Sequence, residues 1–245
     1  MGTTHEMDRE LRTRYKGHIS LCEIDLPGQQ ALMNGRVLII GAGGLGSPVG
    51  LYLAAAGVGT IGLMDADNVS LSNLQRQIMH GTGDIGRPKV ESARDAMMRI
   101  NPEVNLELHP YFLTSENAEE IIGSYDITVD CTDNLATRLL INDTCVKIGK
   151  PYVYGAVSRF SGQLFTYQPG SANYRDIFDT TVRPDELPCA VEGVMNTVVG
   201  VIGTLQATET VKWLVKTGDL LTNRLLVFDA ITMTFNEFEI NPIGA

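Results

Sequence analysis

The stretch Arg36-Val-Leu-Ile-Ile-Gly41-Ala-Gly43-Gly44-Leu-Gly46 joins an apolar run to a glycine-rich turn, and a segment of helical periodicity follows it. Glycines let a backbone approach a phosphate or ribose closely, and a helix N-terminus offers unpaired N–H groups to an anion. Asp65 comes 19 residues after Gly46, at the end of the next apolar run, where a carboxylate can bind ribose hydroxyls. We therefore predict a mononucleotide site formed by Gly41, Gly43, Gly44, Gly46 and Asp65. The motif alone does not separate NAD from ATP, and the alternative is a turn that only packs.

Short apolar runs alternate with helical segments on both sides of this turn, from residue 36 to about 155. This alternation predicts a parallel sheet built from strand-helix-strand units, with helices on both faces. The predicted strands are Arg36–Ile40, Thr60–Met64, Val104–Leu108, Asp126–Asp130 and Pro151–Tyr154, and the predicted helices span 45–56, 88–99, 115–122 and 135–148. We predict one domain over 1–245, with a helical arm at 1–34 packed outside the sheet and a nucleotide-binding half at 35–155.

The pattern changes in the third part of this domain, 156–245. The segments Gly162–Tyr167 and Leu225–Ile240, the latter interrupted near Ala230, predict antiparallel strands, which makes the fold a Rossmann-like mixed α/β sheet. Between them, Gly193–Lys216 predicts a buried helix, since it is too rich in Gly, Asn and Thr for a membrane span. Gln168–Glu192 has no clear period and predicts a mobile or functional loop.

Composition excludes several classes of protein. The net charge of 19 − 29 = −10 argues against a nucleic-acid partner, which would need lysines and arginines against its phosphates. The polar N-terminus and the absence of a long apolar run predict a cytoplasmic protein with no membrane span. The four cysteines form no CxxC pair and the four histidines are scattered, so the spacing predicts no zinc site.

A polar segment follows Asp65. Bidentate arginine and point-charge lysine suit a triphosphate, and side-chain amides can orient it. The alternative is a solvated polar surface. The candidate nucleotide-binding residues in this segment are Asp67, Ser72, Asn73, Gln75, Arg76 and Lys89.

Asp133 and Asn134 follow the predicted strand Asp126–Asp130, at the edge where open α/β sheets bind ligands. Mg²⁺ prefers one or two carboxylates together with phosphate oxygens and waters, so Asp133 is the candidate magnesium ligand. The alternative is that Asp133 only caps the helix that follows it.

Cys189 lies in the irregular loop just before the predicted long helix. An exposed cysteine near a helix N-terminus can act as a nucleophile, but a structural role carries equal weight. Cys131 and Cys145 are predicted to be core residues.

Together these residues resemble the E1-like superfamily of ubiquitin-activating enzymes, specifically the ThiF, MoeB and HesA adenylyltransferases. The matching segments are Arg14-Tyr15, GAGGLG (41–46), DADNVSLSNLQRQ (65–77), GRPKVESA (86–93), DCTDNLATR (130–138) and EGVMNTVVGVIGTLQATETVK (192–212). The resemblance implies a homodimeric enzyme that uses ATP and Mg²⁺ to adenylate the C-terminal glycine of a ubiquitin-like sulfur carrier ending in Gly-Gly. A cysteine desulfurase or another sulfur donor is a further implied partner.

The resemblance also implies a role for each matching site residue. Gly44 would approach the nucleotide and Asp65 would bind the ribose. Asn73, Arg76 and Lys89 would hold the phosphates. Asp133 would bind magnesium beside Asn134, and Cys189 would take part in sulfur chemistry.

Two departures from the family pattern stand out. Where the relatives carry CYRC, this chain has Asn173-Tyr174-Arg175-Asp176, and the second CxxC pair is missing from its C-terminal residues, so the usual structural zinc is not expected. The arm motif RYxR ends in Gly17 in place of arginine, which leaves Arg14 or Lys16 as the candidate substitute.

Three functions are compatible with these features. Adenylation of a carrier accounts for all the motifs. A non-catalytic E1-like binding module accounts for the missing arginine and zinc ligands, and an NAD-dependent dehydrogenase accounts for the glycine turn and Asp65 alone. The sequence does not identify the pathway served, whether thiamin, molybdopterin or a specialised metabolite.

Overall fold

The computed structural model describes residues 9–178 and 193–242. Its eight strands are β1 (Arg36–Ile40), β2 (Thr60–Met64), β3 (Asn105–His109), β4 (Ile127–Asp130), β5 (Tyr152–Ser158), β6 (Ser161–Tyr167), β7 (Arg224–Asp229) and β8 (Thr234–Glu239). Its α-helices are α1 (Arg9–Arg14), α2 (Lys16–Ile19), α3 (Asp25–Asn34), α4 (Gly46–Ala56), α5 (Lys89–Ile100), α6 (Ala118–Gly123), α7 (Leu135–Ile148), α8 (Tyr174–Ile177) and α9 (Asn196–Val215).

The strands form one sheet in the order β3-β2-β1-β4-β5-β6-β7-β8. The first five strands pair in parallel, and β6, β7 and β8 continue the sheet antiparallel. The predicted mixed α/β class is confirmed. The chain runs outward from β1 to β3 on one side and resumes at β4 on the other side of β1, so the order switches between β1 and β4. A crevice for a ligand is expected at the carboxyl ends of these two strands.

The predicted strand boundaries differ from the observed ones by at most one residue at β1 to β4. The prediction is wrong for β5, which ends at Ser158 and not at Tyr154, because it continues into the hairpin with β6. The limits of β1 and β2 agree with the prediction, and β3 and β4 each begin one residue later. The segment Leu225–Ile240 divides into the hairpin β7–β8, consistent with the predicted interruption near Ala230. Within the predicted irregular loop, Tyr174–Ile177 forms the short helix α8, which periodicity could not reveal in four residues.

Both faces of the sheet are covered, as predicted. On β1, Val37 and Ile39 join one apolar core, which also contains residues of α4, α5 and α9. Leu38 and Ile40 join a second core, which contains residues of α6 and α7. Because all four side chains are buried, β1 is a continuous apolar run of the kind expected for a central parallel strand.

The predicted buried helix is α9. Its Gly203 packs so closely on the start of α4 that a Cβ would lie 2.4 Å from Pro48 Cγ. Its Gln206 is fully buried and donates a hydrogen bond to the Asp130 carbonyl at 2.7 Å. None of the helices within residues 9–178 and 193–242 combines the length and apolarity needed to cross a bilayer.

The arm contacts the domain through Tyr15. This side chain is buried, and its hydroxyl accepts a hydrogen bond from Asn101 Nδ2 at 2.9 Å. The ring occupies the space above Gly57, where φ is +79° and a Cβ would lie 2.4 Å from the ring. Gly17, two residues further along the arm, is exposed and has no atom within 4 Å of a built Cβ.

Candidate functional site

A cleft of about 630 Å³ opens at the carboxyl ends of β1, β2 and β4, where the strand order switches. Most of the site residues predicted from sequence line it. These are Gly41, Gly43, Gly44, Asp65, Asp67, Gln75, Arg76, Lys89, Asp133 and Asn134. Among the described residues, Gly46, Ser72 and Asn73 are not part of the lining.

The glycine turn connects β1 to α4. Gly41 has φ of +101°, and a Cβ there would lie 2.7 Å from the Cys131 carbonyl oxygen. A Cβ at Gly46 would lie 2.0 Å from the Gly41 carbonyl oxygen. These two glycines are required to close the turn, so for Gly46 the packing interpretation is the one that the structure supports. Gly43 and Gly44 lie between them and face the cleft.

Asp65 binds the turn from the end of β2. Its two carboxylate oxygens accept hydrogen bonds from the backbone N–H groups of Ala42, at 2.9 Å, and Asp67, at 2.8 Å. Burial raises the pKa of this carboxyl, and the nearby Lys89 opposes that rise. Each carboxylate oxygen keeps a lone pair, so Asp65 can still accept hydrogen bonds from a ligand in the cleft.

Two cationic side chains reach the cleft, Arg76 from the segment between β2 and α5 and Lys89 from the first residue of α5. Lys89 is buried at the start of α5, with Nζ 2.8 Å from Asp67 Oδ2 and 3.7 Å from Asp65 Oδ2. Arg76 donates from Nη1 to the Ser72 carbonyl at 3.1 Å, and its other N–H groups have no hydrogen bond to the described residues. The Arg76 guanidinium is therefore available to an anion, whereas Lys89 is already paired.

Ser72 and Asn73 stabilise this segment from outside the cleft. Asn73 Oδ1 accepts a hydrogen bond from Ser70 N at 3.0 Å, which closes a short turn. The Ser72 hydroxyl lies 2.9 Å from the hydroxyl of Ser70. Through its carbonyl, Ser72 positions Arg76, so both residues support the cleft without lining it in this conformation.

Asn134, and not Asp133, caps α7. Asn134 Oδ1 accepts a hydrogen bond from Thr137 N at 2.9 Å, so the alternative in which Asp133 is the N-cap is wrong. The exposed Asp133 side chain lines the cleft and has no hydrogen-bond partner among the described residues. An unpaired carboxylate in the same cleft as two cations fits a magnesium ion shared with phosphate oxygens. Within residues 9–178 and 193–242, no group of three or more His, Cys, Asp or Glu is arranged to hold a metal by itself.

Arg138 is a cleft residue that the sequence analysis missed. Its Nη2 donates to the Thr132 carbonyl at 2.8 Å, and its guanidinium carbon lies 5.6 Å from the centre of the Tyr154 ring. Its Nε is buried and has no partner among the described residues. The signal was present, because Arg138 follows the N-cap Asn134 by four residues and so lies on the same helix face.

The apolar wall of the cleft was also missed. It consists of Ile40, Met64, Tyr111, Phe112 and Leu113, at the ends of β1, β2 and β3. The Tyr111 hydroxyl lies 2.9 Å from His109 Nδ1, and His109 Nε2 lies 2.8 Å from the Tyr125 hydroxyl. No local motif marks these residues, because they meet only through the pairing of β1 with β2 and of β2 with β3.

The sequence assigns a role or a position to three of the four cysteines. Cys189, the candidate nucleophile, lies outside the described residues. Cys131 and Cys145 are buried, as predicted, and burial raises the pKa of both thiols, which disfavours the reactive thiolate.

The segment 173–176 forms a capped turn. Asp176 Oδ2 accepts hydrogen bonds from Asn173 N at 2.9 Å and from Asn173 Nδ2 at 2.6 Å. Asn173 Oδ1 in turn accepts a hydrogen bond from Arg175 N at 3.0 Å. The Asn173 and Asp176 side chains are thus hydrogen-bonded to each other and to backbone N–H groups at the start of α8.

Comparison with solved structures shows the fold. Escherichia coli MccB with ATP superimposes with a TM-score of 0.80, covering 97% of this chain and 78% of that chain at 20% identity. The protein PaaA superimposes with a TM-score of 0.82, covering 98% of this chain and 76% of that chain at 21% identity.

Curated relatives are closer in sequence. The chain is 44% identical over 240 residues to the probable adenylyltransferase/sulfurtransferase MoeZ of Mycobacterium tuberculosis, covering 96% of this chain and 61% of MoeZ. It is 41% identical over 242 residues to the SAMP-activating enzyme E1 of Haloferax volcanii, covering 98% of this chain and 90% of that protein. It is 42% identical over 243 residues to the probable molybdopterin-synthase adenylyltransferase of Porphyra purpurea, covering 97% of this chain and 63% of that protein. The chain thus spans under two thirds of MoeZ. The family model for the ThiF family matches residues 15–243, so this chain belongs to the ThiF family.

Proposed function

We propose that this chain is an ATP-dependent adenylyltransferase. Its substrate is the C-terminal glycine carboxylate of a small ubiquitin-like sulfur carrier, and its products are the carrier acyl-adenylate and pyrophosphate. The observation that carries the proposal is the content of the cleft: a glycine turn, the cations Arg76 and Lys89, and the unpaired carboxylate of Asp133 share one cavity. A dehydrogenase has no evident need for the last three groups.

The chemistry requires no general base. The carrier carboxylate is ionised at neutral pH, and one of its oxygens attacks the α-phosphorus of ATP. A new O–P bond forms, the bond from the α-phosphorus to the bridging oxygen breaks, and the leaving pyrophosphate takes the electron pair. The work left to the protein is positioning of the reactants and neutralisation of phosphate charge.

Each cleft residue has a part in that work. Asp65 would accept hydrogen bonds from the ribose hydroxyls, and the backbone at Gly43 and Gly44 would approach the phosphates. Arg76 and Lys89 would hold the negative oxygens. A magnesium ion would neutralise further phosphate charge, and Asp133 is the residue that would hold it.

The names of the relatives support this assignment. MoeZ and the Porphyra protein are called adenylyltransferases, and the Haloferax protein is called a SAMP-activating enzyme. By analogy we propose a carrier ending in Gly-Gly as the main partner and a cysteine desulfurase or another sulfur donor as a second one. Cys189 is proposed to serve the sulfur chemistry that follows adenylation. We further propose a cytoplasmic homodimer that uses neither nucleic acid nor zinc.

One observation favours a second candidate, a binding module without turnover. Gly17 stands where the relatives place the arm arginine, so this chain lacks a guanidinium at that position. Arg14 is not an evident substitute, because its Nη1 donates to the Ile100 carbonyl of its own chain at 3.1 Å. A binding module would hold nucleotide or carrier in the same cleft without forming an adenylate.

Exchange of labelled pyrophosphate into ATP separates the two candidates. The assay contains magnesium and a small β-grasp protein ending in Gly-Gly, and its control is the same protein without that tail. Exchange that depends on the tail is the expected result. ATP binding without exchange for any candidate carrier would support the binding module.

A further inference from the structure

The His80 side chain forms hydrogen bonds to two elements that border the cleft, the glycine turn and α5. Its side chain is buried, and it is not among the residues that line the cavity. Nε2 lies 2.8 Å from the carbonyl oxygen of Ala42, in the glycine turn, and Nδ1 lies 2.8 Å from Ser92 Oγ, in α5. Both ring nitrogens are therefore committed within the protein.

The partners determine the protonation of the ring. A carbonyl oxygen only accepts hydrogen bonds, so Nε2 must carry the proton and donate to Ala42. Nδ1 of the neutral ring then accepts from the Ser92 hydroxyl. Burial lowers the pKa of His80, which favours this neutral form at neutral pH.

The bond to Ala42 fixes the direction of a neighbouring N–H group. The Ala42 carbonyl and the Gly43 N–H belong to one planar trans peptide and point in opposite directions. Because His80 holds the carbonyl on the protein side, the N–H of Gly43 points away from it. Gly43 lines the cleft, and glycine offers no side chain to restrain this peptide.

The preceding peptide is held as well, since Ala42 N donates to Asp65 Oδ2 at 2.9 Å. Ser92 extends the bridge in the other direction, because it lies three residues after Lys89 on α5. His80 thus connects the glycine turn to the helix that carries Lys89. The Ala42–Gly43 peptide is therefore linked through the His80 ring to the first turns of α5.

We propose that His80 is a positioning residue for the nucleotide phosphates, which holds the Ala42–Gly43 peptide so that the Gly43 N–H faces the cleft. The inference rests on the proposed function for the identity of the ligand. It concerns binding of the phosphates, and it is therefore tested separately from turnover.

The test compares H80Q with H80N. A glutamine amide places its N–H group near the position of Nε2, whereas an asparagine amide places it near Nδ1. We expect H80Q to bind ATP within about threefold of the original affinity and H80N to bind it about tenfold more weakly, the effect of one hydrogen bond. Both variants should bind adenosine, which lacks phosphates, as the original protein does.

Equal ATP affinities for H80Q and H80N would overturn the proposal. It would also be overturned if H80N lost as much affinity for adenosine as for ATP, or if the native protein bound no ATP. A native protein that binds ATP without exchanging pyrophosphate would end the proposed function, and the binding constants would still decide the role of His80. Nitrogen NMR of the imidazole in the native protein gives a second readout that needs no variant. A proton on Nε2 is expected, and a proton on Nδ1 alone would contradict the proposal.

Discussion

Lys89 Nζ lies 2.8 Å from Asp67 Oδ2 and 3.7 Å from Asp65 Oδ2, which makes Lys89 a buried cation held by two carboxylates on the wall of the cleft. The Lys89 side chain is 8% exposed, whereas that of Asp67 is 58% exposed. Asp67 can therefore turn toward solvent when an anion arrives, and Lys89 cannot leave the cleft.

The first prediction concerns this pair. K89M should reduce pyrophosphate exchange by about 100-fold or more, because it removes a fixed positive charge from a site of phosphate chemistry. D67N is the matched control, since it removes the partner and keeps the lysine, and we expect its activity to exceed that of K89M by at least tenfold. Steady-state exchange rates check both values, and K89M with nearly full activity would remove Lys89 from the mechanism.

Substitutions at Asp133 and Asn134 should have different effects, the first on activity and the second on stability. D133A should abolish exchange and leave the free energy of unfolding almost unchanged, because the Asp133 carboxylate has no hydrogen bond to the described residues. N134A should lower the free energy of unfolding by about 1 kcal/mol, since it removes the N-cap of α7. Urea unfolding and exchange assays test the pair, and full activity in folded D133A would exclude Asp133 as the magnesium ligand.

The Arg138 guanidinium should contribute both to the stability of the fold and to ATP binding. R138K keeps the charge but loses the planar group that contacts the Thr132 carbonyl and lies over Tyr154. We expect a loss of about 1–3 kcal/mol in the free energy of unfolding and weaker ATP binding. A variant with unchanged stability and unchanged affinity would show that the guanidinium geometry has no role.

Gly17 offers a test by gain of function. G17R should raise the exchange rate if the arm of one protomer completes the site of another, because the position is exposed and a Cβ there meets no atom within 4 Å. G17A is the control for helix propensity, which alone should raise stability by up to about 1 kcal/mol. An arginine variant no faster than the alanine variant would argue against a role for the arm in the phosphate site.

The pH dependence of stability should show the half-buried His109. Burial lowers the pKa of His109, so the unfolded chain binds a proton in a range where the folded protein does not. The stability contributed by the neutral ring is therefore complete above pH about 6.5 and is lost as the pH falls toward the lowered value. Urea unfolding at pH 7.5 and pH 5.5 should show this loss, and H109Q should reduce it; an equal loss in the variant would assign the effect elsewhere.

Much of the fold could be predicted because the central strands carry local patterns. β1 and β2 are short apolar runs that end at a glycine turn and at Asp65, so both their limits and their role follow from neighbouring residues. The helix α8 could not be predicted, because four residues closed by Asn173 and Asp176 have no period.

The residues of the site also divide into those that the sequence predicts and those that it does not. The residues that line the cleft from the glycine turn and from the segment Asp65–Lys89 carry local signals in the sequence. His80 does not, because its hydrogen bond to Ala42 joins two elements that are distant in the chain. Tyr111 does not either, because it follows β3 and reaches the cleft only through the pairing of β3 with β2. Asn73 is predicted to bind the nucleotide, and in the structure its Oδ1 closes a turn outside the cavity, so its role in binding stays a prediction.

The central claim is adenylation of a carrier, and the mass of the carrier tests it most directly. Incubation of a Gly-Gly β-grasp protein with ATP, magnesium and this chain should give a species heavier by one AMP less one water. Hydroxylamine should convert that species to the hydroxamate, and the form without the tail should keep its original mass. A carrier whose mass never changes, under conditions where this chain binds ATP, would contradict the account.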